Sequence, residues 1–501
     1  MISMRLREVA SAVGAACEPD CESVVVRRVS IDSRDIQPGD LFFAIRGPNH
    51  DGHKFVLDAM AKGAVAAVCD RAGAAGLLHS PSPRPSPLKG EGDGPSPRLS
   101  PLKGEGDAGV GESERIPLLV VDDTTAALGR LAAHYRRAVM PVGTVVIAVT
   151  GSNGKTTTKC MIDHVLSGSF NGHASPKSFN NQYGLPLTLM SADSDDQYLV
   201  AEIGTNAPGE IDKLAGMASP EVGVITSIAE AHLEGLRDIH GVADEKSSIL
   251  NHIRLGGLAV VNIDRPEIRP FLSRLQRARL VTIGVDPSAR LCVADRRSTI
   301  RNSTFQLDGR FHVELPLPGA HHATNATAAF AVGRWFGMPC DEIIERLASF
   351  VPPEGRTRVI ESGGITIVDD AYNANPGSVG AAIEALLSAG AGRRVFVLGD
   401  MLELGSHTAG LHERIITAAE KAGVDVLVGV GAAMTEAVTG FASDSRRLET
   451  LSCENADAAC GLVDSLIRPR DVVWIKGSRA VGLDRLVRHL ESRWGPKAAV
   501  A

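Results

Sequence analysis

The sequence predicts an α/β protein of three domains, and three observations carry that prediction. At 501 residues the chain is too long for one hydrophobic core, since domains usually hold about 100 to 200 residues. From residue 144 onward, short apolar runs alternate with helix-like stretches. A glycine turn, TGSNGKTT at 150–157, joins one of those runs to the next helix.

The first domain is placed at 1–140. Its runs AAVCD (66–70) and PLLVVDD (117–123) read as short buried strands. Between them lies a tandem repeat, PSPRPSPLKGEGDG followed by PSPRLSPLKGEGDA, over 81–108. It holds seven of the 27 prolines, and its four basic and four acidic residues cancel, so it neither builds a core nor acts as an electrostatic arm. We read it as a disordered insertion into one domain. A proline-rich docking site is the alternative, and deletion without loss of activity is what the passive reading requires.

The second domain is placed at 141–350. TVVIAVT (144–150), YLVAEIG (198–204), VGVIT (222–226) and LAVVN (258–262) lack period-two alternation, as strands covered on both faces should. A parallel sheet follows. The third domain, 351–501, starts after Pro352-Pro353 with a similar series: RVFVLGD (394–400), VDVLVGVG (424–431) and DVVWIKG (471–477).

Composition excludes several function classes. The formal net charge is −7, without the basic balance that nucleic-acid partners leave. The opening MISMRLREVASAVGA lacks the long apolar core of a signal peptide, and no stretch reaches the ~18 apolar residues of a membrane span. A cytoplasmic, monomeric protein is expected. The eight cysteines are scattered without zinc-site spacing, so reduced, mostly buried thiols are expected.

In TGSNGKTT, Gly151 and Gly154 let the backbone N–H groups of Ser152, Asn153 and their neighbours turn inward around phosphate oxygens, and a helix starting at Lys155 adds favourable partial charge. Lys155 would reach the β- and γ-phosphates of ATP. Thr156 would offer its hydroxyl to Mg²⁺. Val149 stands where the general phosphate-loop pattern has its first glycine. Glu202, ending the strand run of AEIGTN, would supply a further metal ligand at the same sheet edge. His232 follows the next strand at that edge. Lys246, one helix further on, reads on its own as a solvated lysine.

Together these residues resemble the Mur ligase family, whose loop reads TG-[ST]-[NKS]-GKT and lacks that first glycine. The resemblance covers nearly the whole chain outside the repeat. It implies a central phosphate-loop ATPase domain, a Rossmann-like C-terminal domain and a smaller UDP-binding N-terminal domain. In VSIDSRDIQPGDLFFAIRGPNHDGHKF (29–55), Ser33 and Arg34 would meet the UDP end of a substrate, with Arg46 and Gly47 in the neighbouring loop. KSFNNQYGLPLTL (177–189) matches the branch that adds D-alanyl-D-alanine, and Asn180 and Asn181 would hold the muramoyl peptide. Thr156, Glu202 and His232 fall on metal positions, as does Lys246 if carbamylated.

PGAHHATNATAA (318–329) matches the segment that contacts the nucleotide base through Asn325, with His322 replacing the usual asparagine. Arg356 in PPEGRTR would touch the γ-phosphate. In DDAYNANPGS, Asp370, Tyr372, Asn373 and Asn375 would line the nucleotide, with Thr157 completing the loop's share, and Ser378 would line the amine side. Lys476 and Arg479 in IKGSRA are candidates for phosphate or carboxylate contacts, a helix-start charge pair being the alternative.

The implied activity is ATP-dependent ligation of D-alanyl-D-alanine to a UDP-N-acetylmuramoyl tripeptide, with Lys155, His232 and Arg356 as the catalytic set. The implied place is peptidoglycan precursor synthesis. Whether the tripeptide ends in lysine or diaminopimelate stays open. NNQYGLP and DDAYNANPGS disfavour the branch adding the third amino acid and the folylpolyglutamate synthetases. A motor-like NTPase or a silent binding module leaves those segments, or the intact set Lys155, Glu202 and His232, unexplained.

Overall fold

Apolar runs without alternation become strands buried on both faces. In the computed structural model, residues 1–47, 50–78, 117–388, 390, 392–441 and 447–495 are described. The chain divides into two compact units, Met1–Tyr135 and Arg136–Ala501.

The first unit carries a four-stranded parallel sheet ordered Arg28–Ser30, Asp40–Phe43, Ala66–Asp70, Leu118–Val121. Its strands on either side of the repeat are direct neighbours, with Ala67 opposite Leu118. The repeat itself, 81–108, lies outside the described residues. Phe42, Ala44, Val56, Ala59, Ala67 and Cys69 form the core against the flanking helices.

The second unit contains two sheets. The nine-stranded one begins with Gly172–Ala174, Tyr198–Glu202, Val145–Thr150, Val222–Ile225, Leu258–Asn262, Arg279–Gly284 and Leu291–Ser298, each parallel to its neighbour. The expected parallel sheet is then extended by two antiparallel strands, Ser303–Leu307 and Phe311–Leu315. There burial alternates, with Ser303, Phe305 and Leu307 buried and Thr304 and Gln306 half-buried, as in a sheet wetted on one face.

In the register, Val149 faces Glu202 and Thr150 faces Ile225, so three strands end together at one edge. The helices Lys155–Leu166 and His322–Trp335 pack over that sheet. Their contacts draw the phosphate loop and Asn325 together.

The six-stranded sheet is ordered Arg358–Ser362, Ile365–Asp370, Val472–Lys476, Arg394–Gly399, Val426–Val430, Glu449–Cys453, parallel except for the first pair. Phe396 and Leu398 enter one core, while Val395 and Val397 enter the other. Both faces are covered, which is why these strands read as continuous apolar runs.

All eight cysteines are free, but only Cys69 is buried. The expectation of mostly buried thiols is corrected: Cys160, Cys340, Cys453 and Cys460 pack at the margins of the cores, partly covered. Among the described residues no helix is long and apolar enough to cross a membrane.

Candidate active site

The phosphate loop is fixed by close contacts that only glycine allows. Gly151 has φ 141°, and a Cβ there would meet Thr226 Oγ1 at 2.1 Å; Gly154 has φ 81°, and its Cβ would meet Asn325 Oδ1 at 2.4 Å. The segment 226–229 braces the loop. Ser227 Oγ accepts from Asn153 N at 2.9 Å, Thr226 Oγ1 donates to Asn153 O at 2.5 Å, and Ser152 Oγ donates to Ala229 O at 3.0 Å.

The helix Lys155–Leu166 begins where expected, and no side chain caps it. Its first-turn N–H groups therefore have no intrahelical acceptor and suit an anion. Lys155 differs from expectation in one respect. Its Nζ folds back over the loop and donates to Gly151 O at 2.8 Å. Burial pushes its pKa below the ordinary value, and Glu202 opposes that shift. A lysine held this way covers the loop where phosphate oxygens would lie.

Thr156 is the hub beside it. Its hydroxyl donates to Glu202 Oε2 at 2.9 Å, accepts from Arg356 Nη2 at 3.0 Å and lies 3.3 Å from Ser178 Oγ. Asn180 Nδ2 donates to the other oxygen of Glu202, Oε1, at 3.0 Å. Asn181 lines the same cavity, and its Oδ1 accepts from Tyr183 N and Gly184 N at the start of the helix Gly184–Ser191. A short amide beside two helix-start donors satisfies them locally.

His232 has φ 54°, and its Nδ1 donates to Glu403 Oε2 at 2.7 Å. That hydrogen bond, outweighing burial, holds the Glu403 carboxyl below its usual range. Lys246 is not solvated at all: it is fully buried, and among the described residues its Nζ has no hydrogen-bond partner. Burial, with the Lys155 charge adding to it, pushes its pKa well below the ordinary value. A neutral amine in such a place is chemically nucleophilic.

Asn325 is buried and donates from Nδ2 to His322 Nδ1 at 3.3 Å. The ring of His322 lies 4.0 Å from that of His321, tilted by 40°. From the third-domain side, the Arg356 guanidinium lies 4.1 Å over the Tyr372 ring. Asn375 Nδ2 donates to Asn153 Oδ1 at 2.6 Å, so the third domain touches the phosphate loop directly. Asn373 is exposed, and its Oδ1 accepts from Ala374 N at 2.9 Å.

Two further candidate residues already have partners within the fold. Ser378 forms a capping box with Asn375 at the start of the helix Pro376–Leu387, which occupies its hydroxyl. Lys476 is buried and pairs with Asp370 Oδ2 at 2.6 Å while donating to Asn373 O at 3.0 Å. The two charges neutralise each other at the sheet edge, where both side chains line the cavity. Arg479 is exposed near Asp484, 3.7 Å away, and the Tyr372 ring.

In the first unit, Ser33 is buried and its carbonyl accepts from Lys62 Nζ at 2.9 Å, whereas Arg34 is exposed and paired with Asp32. Arg46 bridges Asp51 and Asp70, each at 3.2 Å. Gly47 N donates to His50 O at 2.8 Å, closing the loop beside it. His53 is clamped behind them, donating from Nδ1 to Asp51 Oδ1 at 2.6 Å and accepting from Asp70 N at 3.0 Å.

Several neighbours carried no signal in the sequence. Lys159 is buried in the phosphate-loop helix and donates to Ser175 O at 2.6 Å and to Lys177 O, which fastens the segment carrying Ser178 and Asn180. Glu245 accepts from Gly209 N and Ile211 N and so seats the helix Glu210–Ala218. Only partners distant in the chain give these residues their roles. A cavity of about 630 Å³ is lined by Ser152 to Thr157, Asn180, Asn181, Glu202, His232, His322, Asn325, Arg356, Asp370, Tyr372, Asn373, Asn375 and Ser378.

A phosphate loop at the carboxyl edge of one parallel sheet, faced across one cavity by a Rossmann-like sheet, defines a nucleotide-dependent enzyme of the phosphate-loop class. Family models match the Mur ligase middle domain at 149–333, the Mur ligase glutamate ligase domain at 355–479 and the Mur ligase family catalytic domain at 25–91. The chain is 30% identical over 503 residues to the UDP-N-acetylmuramoyl-tripeptide--D-alanyl-D-alanine ligase of Bacillus subtilis, covering 98% of this chain and 99% of that one.

Among solved structures, a MurF from Acinetobacter baumannii gives a TM-score of 0.81 at 28% identity, covering 98% of this chain and 99% of the other. The MurF ligase of Thermotoga maritima in complex with ADP gives 0.75 at 25% identity, covering 94% and 98%. The chain belongs to the Mur ligase family.

Proposed function

We propose that this protein joins D-alanyl-D-alanine to a UDP-N-acetylmuramoyl tripeptide at the expense of ATP, producing the UDP-muramoyl pentapeptide of peptidoglycan synthesis. One observation carries the proposal furthest. Glu202 is held on one side by Thr156 of the phosphate loop and on the other by Asn180 of NNQYGLP. The nucleotide and peptide ends of the cavity thus share one carboxylate. The full-length likeness to ligases of that name supports the same substrates.

The chemistry begins with a poor electrophile, a carboxylate. Its oxygen attacks the γ-phosphorus of ATP, ADP leaves, and an acyl phosphate results. Lys155 and Arg356 place positive charge where the transferring group gathers negative charge. The amine of D-alanyl-D-alanine then attacks the acyl carbon, loses a proton, and phosphate departs as the amide forms. Closure of the third domain over the central one would exclude water, the competing nucleophile.

Thr156, Glu202 and His232 are the proposed magnesium ligands, with Lys246 joining them if carbamylated. The cation supplies neutralisation of the nucleotide's phosphates. The residues fit it: a hydroxyl and a carboxylate lie side by side, and a buried amine without a hydrogen-bond partner among the described residues is the form that adds carbon dioxide. One or two carboxylates plus substrate phosphates suit magnesium better than a closed cage. Arg34, Arg46, Ser33 and Gly47 are proposed for the UDP end. Domain limits at 140 and 350, a hinge near Pro352–Arg356, a monomeric state and a cytoplasmic place complete the proposal.

The test is direct. Purified protein with ATP, magnesium, the UDP-muramoyl tripeptide and D-alanyl-D-alanine should yield a pentapeptide mass and ADP in equal amounts, and Lys155→Ala should yield neither while keeping its circular dichroism. ADP without pentapeptide would overturn the ligase reading.

A further inference from the structure

The segment Asp400–Gly405 follows the strand Arg394–Gly399 and is fastened to the third domain at nearly every position. Asp400 Oδ1 accepts from Met434 N at 2.8 Å, and Asp400 O accepts from Ser478 N at 3.1 Å. Met401 N donates to His412 Nε2 at 3.0 Å, while His412 Nδ1 donates to Thr408 O at 2.7 Å. Leu402 N donates to Ser478 Oγ at 3.0 Å. Met401 and Leu404 are buried.

Glu403, like its neighbour Leu402, is turned outward from this platform. Its backbone sits at φ 62°, a region that costs an L residue free energy, and its side chain is 54% exposed. It meets His232, also at positive φ, in the 2.7 Å hydrogen bond. Two left-handed residues, each in a segment that follows a strand of a different sheet, thus converge on one contact. Among the described residues no other hydrogen bond holds the His232 ring. With Nδ1 engaged as donor, Nε2 is the nitrogen left for the cavity that Thr156 and Glu202 also line.

The geometry points to Glu403 as a positioning residue for the ligase reaction. It is carried by the third domain, yet it sets the tautomer and orientation of a side chain on the phosphate-loop domain. The inference rests on the magnesium and ligase reading above. A histidine ligand ordinarily depends on such a carboxylate behind it, whose loss costs about 10- to 100-fold in metal affinity or activity. The nearby pair Arg414–Glu230, at 2.8 Å with both side chains about half exposed, is the internal control.

The experiment compares Glu403→Ala, Glu403→Gln, His232→Ala, the Glu403→Ala/His232→Ala double variant and Arg414→Ala with the unmodified enzyme. Expected for Glu403→Ala are an unchanged melting temperature, a kcat lower by about 10- to 100-fold with little change in the KM for D-alanyl-D-alanine, and a loss of about tenfold in how far magnesium tightens ADP binding by calorimetry. Glu403→Gln, which still accepts from Nδ1, should recover most of the kcat. The double variant should match His232→Ala within about twofold.

A kcat and a magnesium effect unchanged in Glu403→Ala would overturn the inference, as would additive losses in the double variant or a Glu403→Gln as poor as the alanine variant. An Arg414→Ala loss equal to that of Glu403→Ala would also overturn it. If the unmodified enzyme forms no pentapeptide, the functional reading itself fails; if it does and Glu403→Ala matches it, only this inference fails.

Discussion

His322 stands where the family pattern has asparagine, and its surroundings determine what that change does. It is 2% exposed, its Nδ1 accepts from Asn325, and its Nε2 has no partner among the described residues. Burial pushes its pKa well below the ordinary value, and burial likewise lowers neighbouring His321 from 6.5 to about 4. Both imidazoles are therefore neutral in the fold. Below about pH 6.5 the unfolded chain takes up protons that the folded chain refuses, so stability rises with pH across the window from about 4 to 6.5. His321 alone accounts for at most about 3 kcal/mol. Urea unfolding at pH 7 and pH 5 should show a smaller acid loss in His322→Asn than in the unmodified protein. Equal losses would contradict this account of the pair.

The same scale shows what single residues reveal from sequence. Gly151 and Gly154 were legible because the loop's own backbone demands them, and Thr156 because its hydroxyl lies one helical step from the lysine. Lys476 was not legible as an ion-pair partner: Asp370 lies 106 positions away, and only the pairing of strands Ile365–Asp370 and Val472–Lys476 brings them together. The helix-start hydrogen bonds of Asn181 and Ser378 were not legible, because a polar side chain looks the same in sequence whether it braces a helix start or holds a peptide.

At the scale of elements, strands buried on both faces announced themselves as apolar runs, and a helix start was written into Lys155. The antiparallel pair Ser303–Leu307 and Phe311–Leu315 escaped notice because its alternating burial produces no continuous apolar run. The link from the phosphate-loop helix to the segment 175–180 escaped for another reason: a lysine seldom lies buried. Lys159→Met keeps the bulk but leaves the carbonyls of Ser175 and Lys177 without their donor. Unfolding free energy should fall by about 1–3 kcal/mol. Ligation should fall further than stability explains, by about tenfold, because Ser178 and Asn180 ride on that segment. Urea curves and initial rates check both, and a variant with normal kcat would show that the segment is held without Lys159.

At the scale of the whole molecule, the resemblance in separate motifs and the geometry agree on one plan: a parallel-sheet unit near the N-terminus, and a phosphate-loop sheet facing a Rossmann-like sheet across a cavity. Charge in that cavity is arranged around transfer of a phosphoryl group, with Lys155 and Arg356 beside Thr156 and the third domain tied to the loop through Asn375. Such an arrangement suits the proposed activation of a carboxylate by ATP before the amine arrives. The measurement that reaches this claim uses UDP-muramoyl tripeptide carrying oxygen-18 in its terminal carboxylate, with ATP and D-alanyl-D-alanine, and mass analysis of the phosphate released. One labelled oxygen per phosphate, matched by one amide formed, is the predicted result. Phosphate with oxygen drawn from water, and none from the tripeptide, would contradict it.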